Sequence, residues 1–99
     1  MDKVVLYNDL FLCYQDLLTE NEKVTFLDYY ADDLSLSEIA DNNKVSKSAV
    51  SKTVNKVEEK LDAYEKILKL NQKNKLLFQA LQIDDIKEVK NKLNEIIEL

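Results

Sequence analysis

Lys47, Ser48, Ser51, Lys52, Asn55 and Lys56 recur at spacings of three and four, so in a helix they share one side. Ammonium groups mixed with short hydrogen-bonding side chains suit contact with phosphates and groove edges of a nucleic acid. Other chemistries are missing their residues. The chain of 99 residues has no Gly, Pro, His or Trp and one Cys, and its 14 basic residues are all Lys. Without His there is no His-containing metal site and no Ser-His or Cys-His nucleophile pair. Without Gly there is no P-loop or dinucleotide-type phosphate cradle. Absent Arg removes the commonest reader of guanine. Most carboxylates fall at helix starts or on charged helix faces. The chain is therefore expected not to be an enzyme, and to use no metal and no cofactor.

Charge isolates the same segment. The net charge is −5, but residues 15–43 hold eight acids and one Lys, whereas residues 44–75 hold nine Lys and four acids. The acidic stretch opposes non-specific binding to phosphate and would suit a basic protein partner.

These six residues need a helix to present them, and the sequence supplies its punctuation. A helix is expected over residues 3–18, with Leu6, Leu10, Cys13 and Leu17 on its apolar stripe. Cys13 reads there as a small core hydrophobe. Thr19–Glu22 and Ser35–Glu38 both fit the capping box, in which a hydroxyl and a carboxylate three residues on satisfy each other's backbone. The first opens a helix to Tyr30 or Ala31, with Val24, Phe26, Leu27 and Tyr30 as its apolar residues, broken by Asp32–Asp33. The second opens a short helix to about Asn42. Asn42-Asn43-Lys44 is the turn, with Asn expected in the left-handed conformation that Gly would otherwise supply. Ser46 then caps a long helix to about Leu70.

That order is a helix-turn-helix. Ala40 is the small residue where the second helix crosses the first, and Ile39, Val45 and Val50 are expected to fill the shared core. Along the long helix Val50, Val54, Val57, Leu61, Tyr64 and Leu68 form a 4-3-4-3-4 seam. At 1.5 Å per residue the helix is roughly 35 Å long, more than a small three-helix core covers. Two further helices are expected, over residues 72–82 and after Asp84 or Asp85. The expected fold is all-α: a helix-turn-helix domain over residues 1–70, without a wing, and a C-terminal helical hairpin over residues 71–99. The uncovered length of the seam and the apolar stripe of the last helix point to a homodimer or higher assembly; the alternative is that the last two helices fold back and cover the seam within one chain.

LLTE, DYYADDLSLSEIA and VSKSAV, within residues 17–65, resemble the YlxM-like family of helix-turn-helix proteins, which is itself similar to region four of bacterial sigma factors. The chain departs from that family's pattern at Lys47, commonly Arg, and at Asn43, commonly apolar. The resemblance implies recognition-helix roles for Lys47, Ser48, Ser51, Lys52 and Asn55. It also implies no catalysis, and a part in the signal recognition particle pathway, since family members are encoded beside genes of that particle. Two functions follow as expectations. One is a regulatory protein binding DNA or structured RNA. The other is an accessory module docking a signal recognition particle component without touching DNA. A single Cys, no apolar run near the roughly 18 residues that span a bilayer, and no cleavable leader point to the cytoplasm without membrane insertion.

Overall fold

Side-chain capping decides where most helices of this chain begin. In the computed structural model, which describes residues 2–99, the elements are α1 (Lys3–Tyr14), α2 (Glu20–Phe26), α3 (Leu36–Asn43), α4 (Lys47–Leu68), α5 (Leu70–Leu81) and α6 (Ile86–Ile97). A 3₁₀ turn, Gln15–Leu17, follows α1, and a π-helical turn, Leu27–Ala31, continues α2. No strand occurs among the described residues. Both capping boxes form. Thr19 Oγ1 accepts the Glu22 N–H at 3.2 Å while Glu22 Oε1 accepts the Thr19 N–H at 2.8 Å. Ser35 and Glu38 repeat the exchange at 3.1 Å each way. Asp85 caps α6, accepting from the N–H groups of Lys87 and Glu88 at 2.8 and 3.1 Å.

The chain divides into two compact units, residues 1–64 and 65–99. In the first, Leu10, Phe11, Tyr14 and Leu18 from the N-terminal segment meet Phe26 and Tyr30, Ile39 and Ala40, and the seam residues Val50, Val54, Val57 and Leu61. Aromatic rings form its centre: Phe11 stacks on Phe26 at 4.5 Å, and Phe26 on Tyr30 at 4.7 Å. Such pairs add about 0.5–1.5 kcal/mol beyond the area they bury. Cys13 is half-buried against this core, as a small hydrophobe would be.

Three details differ from the sequence expectation. The stripe of α1 runs through Leu10, Phe11, Tyr14 and Leu18, and Leu17 is exposed. Leu17 lies in the 3₁₀ turn that follows α1, beyond the end of the helix whose stripe is buried. Val24 and Leu27 are also exposed while Phe26 and Tyr30 are buried. The two exposed residues lie on the side of the helix away from Glu22, Thr25 and Phe26, Val24 ahead of the π turn and Leu27 at its start, where the Asp32 N–H closes it on the Leu27 carbonyl at 2.9 Å. The third difference is the site of the left-handed turn, taken up below.

The second unit is α5 and α6 with the end of α4. Lys69 takes a left-handed conformation (φ 56°), and α5 starts directly after it. The Glu65 carboxylate accepts the N–H groups of Asn71 and Gln72 at 3.0 and 3.1 Å, satisfying donors that the first turn of a helix leaves open. Only Asn71, Ala80 and Ile96 of this unit are buried.

Candidate nucleic-acid interface

The candidate face depends on how α3 ends. Asn43 stays helical, and Lys44 takes the left-handed conformation (φ 56°, ψ 43°). The Lys44 N–H reaches back to the Asp41 carbonyl at 3.4 Å and the Val45 N–H to the Ala40 carbonyl at 3.1 Å. That pair of bonds is the Schellman closure of a helix. The expectation that an Asn would be left-handed is thus corrected by one residue, and Asn43 lies exposed as the last residue of α3. Val45 is corrected too: at 49% exposed it caps the turn from outside, while Ile39 and Ala40 are buried as expected. Ser46 Oγ accepts the Ala49 N–H at 3.0 Å and starts α4.

From there the seam fixes what faces outward. Val50, Val54, Val57 and Leu61 are all at most 5% exposed, so the buried side of α4 admits one rotation about its axis. At about 100° per residue, the six candidates then occupy roughly half of the circumference, on the side away from the seam. Lys47, Ser48, Lys52, Asn55 and Lys56 are exposed, and Ser51 is half-buried at the border. The structure therefore brings all six together. Lys47 to Lys56 spans roughly 13 Å along the helix, whose diameter of about 10–12 Å suits a DNA major groove. Lys44, in the turn just before this face, is exposed as well. Its place in the basic block was visible in the sequence, but it was read as turn only.

Inward ties hold α4 beyond this face. Lys60 Nζ lies 2.8 Å from Glu22 Oε2 and 2.9 Å from Oε1. The Tyr7 hydroxyl donates to Asp62 Oδ2 at 2.9 Å, the Tyr30 hydroxyl donates to Glu58, and Lys3 pairs with Glu58 at 3.1 Å. Glu58 and Asp62 are thereby engaged toward α1 and α2, and Glu59 is the exposed acid that ends the cationic stretch. Burial and the Asp62 hydrogen bond push the Tyr7 hydroxyl up to about 12. Burial and Glu58 push the Tyr30 hydroxyl up as well. Burial alone would raise Glu22, but bonds from Lys60 and Thr19 outweigh it and hold the carboxyl below its ordinary range. The Glu22 bond in turn raises Lys60. Sequence reading took Glu22 for a cap only, because its partner lies 38 residues away.

Among the described residues no group of three His, Cys, Asp or Glu side chains could hold a metal ion, and no helix is long and apolar enough to cross a membrane. The family model described as "Putative helix-turn-helix protein, YlxM / p13 like" matches residues 1–99. The chain belongs to this YlxM/p13-like family. Curated relatives carry the name UPF0122 protein. One from Mycoplasma capricolum subsp. capricolum is 39% identical over 98% of this chain and 90% of its own length. One from Listeria welshimeri is 39% identical over 95% and 86%. One from Shouchella clausii is 44% identical over 74% and 67%. The YlxM/p13-like family is described by its helix-turn-helix and not by a reaction, in keeping with a face made of cations, hydroxyls and an amide.

Proposed function

We propose that this protein binds duplex DNA or structured RNA through the first turns of α4 and acts there as a regulator. The observation that carries the reading is the exposed cationic face Lys47–Lys56, set directly after a hydrogen-bonded turn in a helix-turn-helix chain. Lys47, Lys52 and Lys56 contact phosphates and fix register. Ser48, Ser51 and Asn55 reach base edges or sugar hydroxyls. The N-terminal end of α4 adds the partial positive charge of its unpaired N–H groups. The protein works as a cytoplasmic homodimer, in the signal recognition particle pathway that the family resemblance implies.

Fluorescence anisotropy of a labelled duplex and of a structured RNA against salt concentration tests this. Affinity that falls steeply with salt supports the reading. No salt-dependent binding to either near physiological ionic strength overturns it.

A second reading is favoured by the acidic surface. Among residues 15–43, Asp16, Asp32, Asp33, Glu38 and Asp41 are exposed carboxylates. They suit a basic protein partner, such as a component of the signal recognition particle, with the helix-turn-helix serving as scaffold. Recovery of such a partner that survives nuclease treatment distinguishes this reading from the first.

A further inference from the structure

The C-terminal unit cannot bury its own apolar side chains. Two 12-residue helices are marginal without tertiary packing, yet among residues 65–99 only Asn71, Ala80 and Ile96 are buried. Leu77, Phe78 and Leu81 of α5, with Ile86, Leu93 and Ile97 of α6, are 40–80% exposed. At about 100° per residue, the three on α5 lie roughly 60–160° from Ala80, centred near a quarter turn with Phe78 at the far edge, and the three on α6 roughly 60–100° from Ile96 in the same rotational sense. A short connection makes α5 and α6 antiparallel neighbours. In an antiparallel pair, equal offsets bring both stripes onto one face.

We infer that this face is covered by the same face of a second copy, so that two α5–α6 hairpins form an intermolecular four-helix bundle. Area and charge both select that occupant. The six side chains expose on the order of 600–700 Å², taking roughly 150–200 Å² per large side chain. That exceeds the ~300–600 Å² typical of a monomer's largest patch and approaches the ~800 Å² each partner buries in a standard interface. A twofold contact also presents every such residue with an equal face. Residues 65–99 hold seven Lys and six acids, so two hairpins meet without net repulsion, whereas residues 1–64 hold seven Lys and thirteen acids and repel their own kind. No carboxylate falls on the stripe. Lys90 borders it, and its methylene stem covers apolar surface while its ammonium reaches water. Val50–Leu61 is spent on the core of the first unit, so the hairpin, and not the start of the heptad seam, carries the association.

The inference rests on the homodimer stated above and not on nucleic-acid binding. Sedimentation equilibrium of the full chain at tens of micromolar, without nucleic acid, tests it. A mass near twice 11.5 kDa is expected. Leu81→Asp and Ile97→Asp should each return the single-chain mass with far-ultraviolet helicity kept, while Leu12→Asp, on exposed α1 surface, should leave the dimer intact. Phe78→Ser gives the same reading through at least a tenfold weaker association if the charged variants lose helicity. A wild-type monomer overturns the homodimer itself. A dimer that survives all three hairpin substitutions overturns this face as its site and leaves the homodimer standing.

Discussion

On the proposed reading, each exposed lysine of the face should carry a separable part of the binding. A phosphate neutralised by an ammonium releases bound counterion, so three contacts from Lys47, Lys52 and Lys56 give a log–log salt slope of roughly −2.7 on duplex DNA. Changing all three to Gln should remove most of that slope and leave thermal unfolding almost unchanged, because these side chains are exposed. Ser51→Ala and Asn55→Ala should do the reverse, relaxing preference among sequences while the slope stays. Competition binding across a panel of duplexes and RNAs reads the difference. Ala40 is the counterpart inside, buried with Val50 in one cluster. Ala40→Leu should cost roughly 1–3 kcal/mol by overpacking, and an unchanged melting curve would place Ala40 away from any crossing. The six face residues were legible in the sequence because helix spacing and charge coincide within a single element. Lys44, Val45 and the Glu22–Lys60 pair were not, since a turn's handedness and a contact across 38 residues leave no periodic trace.

At the level of elements, helix starts were legible and helix interiors less so. Capping boxes announce themselves locally, and Thr19, Ser35 and Asp85 all cap as the residue types require. The 3₁₀ turn at Gln15–Leu17 and the π turn at Leu27–Ala31 shift the winding by a fraction of a turn, which an ideal 3.6-residue period cannot anticipate. In a chain without Gly, three corners fall to Asp33, Lys44 and Lys69, each at φ 56°. Lys44→Gly should therefore stabilise the helix-turn-helix by up to about 1 kcal/mol, the relieved backbone strain exceeding the added freedom of the unfolded chain. A β-branched Val there should destabilise it; chemical denaturation of both variants checks the order. The tie between α2 and α4 predicts a pH response. Glu22 titrates below its ordinary value of 4.5, so its stabilisation is complete above that value and is lost as pH falls through the folded value. Lys60 and Tyr7 titrate above their ordinary 10.5 and 10.0, so theirs is complete below those values and is lost as pH rises through the folded ones, about 12 for Tyr7. Melting temperature against pH should show both limbs. Glu22→Gln should flatten the acid limb, and Tyr7→Phe should flatten the part of the alkaline limb that begins near 10.

For the molecule as a whole, the sequence was most informative about class and least about where burial stops. Absent Gly and Pro with continuous 3.6-residue patterning left an all-α chain as the consistent reading, and six α-helices without a strand among the described residues agree. The seam of α4 looked uniform from Val50 to Leu68. Burial ends with Leu61, Tyr64 is half-buried, and Leu68 is exposed. Apolar spacing shows that a stripe exists but not what lies against it. Leu61, fully buried where that cover ends, should cost about 2–5 kcal/mol on truncation to Ala, whereas Leu68→Ala should cost far less. Paired calorimetry of the two variants locates the edge of the core. The segregation of charge within residues 1–64 has a consequence for kinetics. Acids dominate residues 15–43 and exposed lysines the first turns of α4, so the charge of this unit is unevenly distributed. On the proposed reading, a polyanion should exert a torque on it, turning the lysines toward the contact and delaying collisions that lead with the carboxylates. Diffusional encounter is then orientation-filtered, fast in dilute buffer and slower as the Debye length shrinks below the size of the unit.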